Sequence, residues 1–145
     1  MLDKWLRESA LTADRAGTAR TFVWTEDDDV VAYFSLAPHE VRRETLPKRL
    51  GHGAPQSIPA ILLARLALDS RLHGRGLGQQ LLVDALSRAV AAVVAAGGRL
   101  LMVDAIDQRA ASFYEHHGFR RPSAATLRLA MKASDAARSL GLEWT

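Results

Sequence analysis

A strand, a glycine-containing loop and a helix follow one another without interruption between residues 58 and 96. The segment 58–69 is almost wholly apolar and predicts a buried central strand. Apolar residues then recur at helical spacing from 76 to 96, which predicts one long helix packed on a sheet and ended by Gly97-Gly98. Such a unit requires a layered fold in which helices cover a sheet.

The loop between this strand and this helix has the chemistry of a phosphate site. Gly74, Gly76 and Gly78 let the backbone turn with its N–H groups pointing inward. The helix start adds free amides and a positive dipole end, and Arg71 and Arg75 add positive charge. The sequence therefore predicts a pyrophosphate-binding loop.

Two common phosphate-binding motifs do not fit these residues. A Walker loop needs Gly-Lys-Ser/Thr, which occurs nowhere in the chain. A dinucleotide fingerprint read from Gly74 has Gln79 at its third glycine position, and the loop follows a late strand instead of the first. Both interpretations are excluded.

The loop instead resembles the acyl-CoA loop of the GCN5-related N-acetyltransferases (GNAT), Gln/Arg-x-x-Gly-x-Gly/Ala. His73, Gly74, Arg75, Gly76, Leu77 and Gly78 occupy its six positions, with His73 where Gln or Arg is usual. Arg71, Gly74 and Gly76 fit the pattern two residues earlier, but a helix beginning near Leu77 favours the later register. The segment from Asp107 to Arg120, containing Phe113-Tyr114 and Gly118-Phe119, resembles the family's Asn-x-x-Ala-x-x-Phe-Tyr…Gly-Phe segment.

This resemblance implies an α/β (α+β) fold. It has a central mixed, mostly antiparallel twisted sheet with a splayed central strand and flanking helices. The rest of the chain supplies the other elements. We predict a helix over 2–13, strands over 21–25 and 30–36 joined by an acidic turn, a short helix over 40–49, a strand over 99–105, a helix from the Asp107 cap to His117, and strands over 119–121 and 126–132.

The resemblance also implies acetyl-CoA as cofactor and assigns residues to it. The backbone of Leu66, Ala67 and Leu68 is expected to hydrogen-bond the pantetheine arm, and the loop His73, Gly74, Arg75, Gly76, Leu77, Gly78 and Gln79 to hold the pyrophosphate. Asp107 and Phe113 are further candidates at the arm, although helix capping explains Asp107 equally well and Phe113 is also interpreted as a core residue. Tyr114 is expected to be the general acid that protonates the departing thiolate, the alternative being aromatic packing.

An amine acceptor attacks the thioester directly in this family, consistent with a chain that has no cysteine. The general base stays open among His39, Glu40, His52, Glu115 and His116. His116 and His117 do not predict a metal site, because neighbours on a helix point about 100° apart. An α-amine, with a pKa of about 7.7–8.0, is substantially neutral at physiological pH and needs less help from a base than a lysine amine does. An α-amine is therefore the favoured acceptor.

Further segments, among them 2–7, 19–23 and Ile58-Pro59, are similar to the acetyltransferase toxins of bacterial toxin–antitoxin pairs, over 1 to about 132. This implies aminoacyl-tRNA as acceptor, a small ribbon-helix-helix antitoxin as partner and a possible homodimer. Those toxins usually have a further N-terminal strand, and Pro122–Leu129 matches their last loop less closely. The alternatives are an acetyltransferase for a protein N-terminus or small amine, and a catalytically idle CoA-fold binding module.

The net charge of +3 is modest, but its cationic residues are clustered. Some of these cationic residues would bind the phosphates of CoA. The remaining ones predict an RNA-binding surface, and the alternative is an ordinary solvated basic surface. The candidates are Arg42, Arg43, Lys48, Arg49, Arg65, Arg120 and Arg121.

The length and composition predict a single domain spanning residues 1–145, with a core to about 132 and a weakly helical tail over 133–145. The longest apolar run, 89–96, is shorter than the ~20 residues that a membrane helix needs. No signal pattern is visible, so we expect no membrane association and a cytoplasmic location.

Overall fold

A computed structural model describes residues 11–144, and the helix predicted over 2–13 lies mostly outside that range. Five strands form one sheet in the order β1-β2-β3-β4-β5, parallel only between β3 and β4. The mixed, mostly antiparallel sheet is therefore confirmed. The elements are α1 (Leu11–Ala16), β1 (Arg20–Glu26), β2 (Asp29–Arg42), α2 (Lys48–Gly51), β3 (Ser57–Leu68), α3 (Leu77–Ala96), β4 (Leu100–Asp104), α4 (Gln108–His116), β5 (Arg128–Lys132) and α5 (Ala133–Leu140).

β1 and β2 form the predicted hairpin, and its acidic turn places Asp27 and Asp28 at positive φ, 50° and 70°. Two successive left-handed residues match the twist of a tight hairpin. The short helix predicted over 40–49 is wrong in its first part. β2 continues to Arg42 because it pairs with β3 as far as Ser57, and only a 3-10 turn over Arg43–Thr45 and α2 follow.

β3 carries a bulge, and beyond it the sheet divides. Ser35 pairs with Arg65 and Leu36 with Leu63, so Ala64 is the extra residue. β4 pairs with β3 only from Ala60 to Leu63. β3 then continues beside β2 alone, which leaves its other edge open. We call the gap between this edge and the end of β4 the fork; it is the splayed geometry that the family resemblance implies.

The larger core lies between the sheet and α3. Seven α3 residues are buried there: Leu81, Leu82, Ala85, Leu86, Ala89, Val90 and Val93. By length and hydropathy α3 is also the one helix within residues 11–144 able to cross a membrane, but packing on the sheet accounts for its apolar surface. A smaller core lies on the opposite face, around Val41, Leu50, Ile58 and Met102.

The C-terminal part of the chain differs in two places from the prediction. Residues 119–121 form a single bridge, Arg120 with Ala130, and no full strand. The segment after Lys132 forms α5, whose Ala133, Ala136 and Ala137 are buried in the larger core. The packed core therefore extends beyond 132, because the small side chains of α5 allow close approach to α3.

Candidate active site at the fork

The open edge of β3 presents backbone groups to the fork. The amide of Asp69 donates to the carbonyl oxygen of Val31 at 2.8 Å, so Ala32 and Leu68 form a pair whose own amides point away from each other. The next such pair is Phe34 with Leu66. The N–H and C=O groups of Leu66 and Leu68 therefore face the fork. Those of Ala67 bond to β2, which removes Ala67 from the predicted backbone contacts to the pantetheine arm.

The predicted pyrophosphate-binding loop, residues 73–79, connects this edge to α3; we call it the phosphate loop. Gly74 and Gly76 have φ of +81° and +74°, the left-handed region that favours glycine. Gly76 is the N-cap of α3 and Leu77 is its first residue, in agreement with the later motif register. Gly78 lies inside the helix and needs no positive φ, unlike its predicted turn role. A Cβ at any of the three glycines would meet no atom within 4 Å outside the adjoining backbone, so the space above the loop is open.

Arg71 and Arg75 are in different electrostatic environments. Asp69 accepts hydrogen bonds from Arg71 Nε at 3.1 Å and Nη2 at 3.0 Å. The bonds from the Arg71 side chain and backbone lower the pKa of the Asp69 carboxyl to about 2. The charge of Arg71 is thus compensated within the protein. Arg75 is exposed and has no side-chain partner in the part of the chain from 11 to 144, which leaves it and the exposed Gln79 available to a phosphate.

The Tyr114 side chain lies on α4 and is only 7% exposed. Its ring packs edge-on against Phe113 and Phe119, with centroids 5.4 and 5.7 Å away. No side-chain polar atom within residues 11–144 is both buried and without a partner, and no side chain or backbone group there bonds the Tyr114 hydroxyl. The hydroxyl oxygen therefore reaches the surface. Burial of the ring raises the pKa of Tyr114 to about 12.

Asp107 and Phe113 have structural roles that are visible in the contacts. A carboxylate oxygen of Asp107 accepts the backbone N–H of Ala110 at 2.8 Å, as an N-cap does. Phe113 is half-buried and packs on Tyr114 and on His117, with centroids 4.8 Å apart in the second pair. Their contact with the cofactor arm stays a prediction.

The candidate general bases are dispersed, and three of them have side-chain partners. His39 Nε2 accepts a hydrogen bond from Arg128 Nη1 at 3.1 Å, and burial followed by the charge of Arg128 lowers its pKa. Glu115 is paired with Arg121 at 3.1 Å, and Glu40 accepts a hydrogen bond from Ser57. His52 lies in the loop after α2 and His116 ends α4. The structure does not bring these five candidates together.

The cationic candidates for RNA binding divide into paired and unpaired groups. Arg42 is paired with Glu44, Arg43 donates to the carbonyl of Ala54, and Arg121 is paired with Glu115 and only 13% exposed. Arg65 is exposed on β3 beside the bulge. The remaining three are exposed and have no side-chain partner within residues 11–144: Lys48, Arg49 and Arg120.

Residues 17–121 match the model of the acetyltransferase (GNAT) domain. The chain belongs to the GNAT family. It is 38% identical over 140 residues to the tRNA-acetylating toxin of Mycobacterium tuberculosis (strain ATCC 25618 / H37Rv), covering 97% of this chain and 84% of that protein. A solved structure of AtaT complexed with acetyl-methionyl-tRNAfMet is 26% identical with a TM-score of 0.83, over 93% of this chain and 83% of that one.

The fold is also that of an AtaT mutant toxin bound to the C-terminus of the antitoxin AtaR and acetyl-CoA. That structure has a TM-score of 0.78 at 23% identity, over 93% of this chain and 81% of that one. This GNAT protein is thus an acetyltransferase that uses acetyl-CoA. Its loop and fork fit that group, because amides at the start of α3 and open space at Gly74, Gly76 and Gly78 suit a pyrophosphate.

Proposed function

We propose that this acetyltransferase transfers the acetyl group of acetyl-CoA to the α-amine of aminoacyl-tRNA and thereby blocks translation as a toxin. The observation that carries the proposal is the 38% identity to a tRNA-acetylating toxin over nearly the whole chain. The similarity to AtaT in complex with an acetylated aminoacyl-tRNA supports the same acceptor class. The site of action is then the cytoplasm, where charged tRNA is found.

Tyr114 is the proposed general acid. Its ring is buried while its hydroxyl reaches the surface, and its raised pKa keeps the phenol protonated throughout the physiological range. A protonated phenol can donate to the departing CoA thiolate but cannot deprotonate the amine. Leu66 and Leu68 would bind the pantetheine arm through the backbone groups that face the fork, of which the Leu68 carbonyl already accepts a hydrogen bond from His73. The loop His73–Gln79 would bind the pyrophosphate.

The acceptor proposal also draws on charge. Lys48, Arg49 and Arg120 are exposed cations that can neutralise tRNA phosphates. Since an AtaT structure contains the antitoxin AtaR, a small antitoxin is the proposed partner of this chain, of the ribbon-helix-helix type that the resemblance implies. Self-association into a dimer belongs to the same proposal.

The test is transfer of labelled acetyl from acetyl-CoA to charged tRNA, with uncharged tRNA, a polyamine and a peptide as parallel acceptors. We expect label on charged tRNA alone, released when the aminoacyl ester is hydrolysed and lost in Tyr114→Phe. Label on the peptide or polyamine alone would overturn the tRNA proposal and leave an amine acetyltransferase. Acetyl-CoA binding without transfer to any acceptor would favour the idle binding module.

A further inference from the structure

Three polar side chains from three different strands meet on the sheet face opposite α3. His39 lies on β2, Asp104 ends β4 and Arg128 begins β5. Arg128 donates to both carboxylate oxygens of Asp104, from Nε at 2.6 Å and from Nη2 at 2.8 Å. Its remaining terminal nitrogen, Nη1, donates to His39 Nε2 at 3.1 Å. One guanidinium therefore joins all three residues.

The chemistry of this contact fixes the protonation of the imidazole. A guanidinium has only donors, so His39 Nε2 must accept and carries no hydrogen. His39 is then neutral with its hydrogen on Nδ1. The charged groups that act on His39 are Arg128 on β5, which lowers its pKa, and Asp104 on β4, which raises it; burial is the largest effect and also lowers it. The facing β3 residues Ala60 and Leu62 are apolar.

The same contact determines what His39 can do. Its Nε2 lone pair is occupied, so it cannot take a proton from an amine unless the bond from Arg128 breaks. Its Nδ1–H is a donor that no group within residues 11–144 accepts. Because that donor is positioned and uncharged, it suits an oxygen acceptor on a ligand.

The position of the three residues relates them to the acceptor. Asp104 is the last residue of β4, at the end where β4 separates from β3 to form the fork. The α3 helix and the ring of Tyr114 belong to the other face of the sheet. The face that carries His39 and Arg128 is therefore a second side from which an acceptor amine can approach the fork, opposite the ring of Tyr114.

A cavity of about 480 Å³ lies on that face and is lined by one of the three residues, Arg128. Arg128 forms part of its wall, and its apolar lining includes Val41, Leu46, Met102 and Leu129. Thr126 and Ser123 of the loop before β5 complete one side. The space thus offers an apolar surface next to the guanidinium that is bonded to His39.

We propose that His39 positions the acceptor by donating from Nδ1 to the ester carbonyl oxygen of the aminoacyl group, with Arg128 fixing its tautomer. The amino-acid side chain then lies against the apolar cavity. This inference rests on the proposed function, because an aminoacyl ester has a carbonyl oxygen next to the reacting amine whereas a polyamine has none. Arg128, held by Asp104, acts through His39 and is a positioning residue.

Two variants of His39 separate the donor from the rest of the ring. In His39→Asn the side-chain amide lies near the Nδ1 position, and in His39→Gln it lies near Nε2. We expect His39→Asn to keep KM for aminoacyl-tRNA within about threefold and His39→Gln to raise it about tenfold, the effect of one lost hydrogen bond. The dissociation constant for acetyl-CoA should not change in either variant, which also shows that both are folded.

Arg128→Met tests the positioning role of Arg128, and the measurement is the ¹⁵N spectrum of the histidine-labelled protein. The chain has five histidines, and the signal of His39 is the one that is missing from the spectrum of His39→Asn. We expect the Nδ1–H tautomer in the wild type and a shift to Nε2–H in the variant, together with a higher pKa of His39 because the charge of Arg128 is removed. An Nε2–H tautomer in the wild type, or equal KM values for His39→Asn and His39→Gln, would overturn the inference. A wild-type enzyme that acetylates only other amines would instead overturn the proposed function, and the inference with it.

Discussion

The imidazole Nε2 of His73 donates a hydrogen bond of 2.9 Å to the backbone carbonyl oxygen of Leu68. A carbonyl oxygen can only accept, so Nε2 carries the hydrogen. Leu68 belongs to the open edge of β3, and His73 occupies the first position of the phosphate loop, where Gln or Arg is usual in the family. The histidine therefore fixes the loop to the strand that would bind the pantetheine arm.

Removing this bond should weaken cofactor binding without changing the fold. We expect His73→Ala to raise the dissociation constant of acetyl-CoA about five- to tenfold, because the loop loses one neutral hydrogen bond of about 1 kcal/mol. His73→Gln, which can still donate to Leu68, should bind nearly as well as the wild type. Isothermal titration calorimetry measures both. Equal affinities for His73→Ala and the wild type would show that the bond does not position the loop.

The raised pKa of Tyr114 predicts a pH dependence of stability. The folded-state pKa of Tyr114, about 12, lies above the ordinary value of 10. The contribution of the protonated phenol to the free energy of unfolding is therefore fully present below pH 10 and is lost as pH rises toward 12. Between pH 9 and 11 the wild type should lose on the order of 1 kcal/mol more unfolding free energy than Tyr114→Phe. Urea unfolding at the two pH values measures this difference, and parallel losses in the two proteins would contradict it.

Gly76 and Gly78 form a matched pair for testing backbone strain at the phosphate loop. An alanine at Gly76 must adopt φ near +74°, which costs about 1–2 kcal/mol. Gly78 is inside α3 with open space at its Cβ position, so Gly78→Ala should raise stability by about 0.5–1 kcal/mol. The family pattern accepts Ala at this place, and acetyl-CoA affinity should be kept. Thermal unfolding distinguishes the two; a loss of stability in Gly78→Ala would be the contrary result.

Arg120 and Arg121 are neighbours with different expected roles. Arg120 is exposed. We expect Arg120→Ala to reduce the slope of log KM for charged tRNA against log salt concentration by about one, the effect of one lost phosphate contact. Arg121 bonds Gln108 at 2.9 Å and Glu115 at 3.1 Å. Arg121→Ala should therefore leave the salt dependence unchanged and lower the unfolding free energy by about 1 kcal/mol. An unchanged salt dependence of KM in Arg120→Ala, together with a reduced one in Arg121→Ala, would exclude Arg120 from the tRNA surface.

The local motifs were predicted well because their geometry depends on residues close in sequence. The register of the loop, the start of α3 at Leu77 and the cap at Asp107 follow from glycine φ angles and hydrogen bonds within a few positions. The helix predicted over 40–49 failed for the opposite reason. Its charged residues have helical propensity, but pairing of β2 with a strand far along the chain extends the sheet to Arg42.

The sequence by itself therefore determined the family fold, the order of its main elements, the glycine loop that begins α3 and the candidate Tyr114. Only the tertiary structure decided which cations are free, since Arg121 and Arg71 are matched by carboxylates that charge counting does not locate. It alone joined His39 to Arg128, 89 residues apart, across the face of the sheet. Short-range stereochemistry can be inferred from neighbouring residues, whereas contacts between strands depend on register and twist, which a bulge such as the one at Ala64 resets.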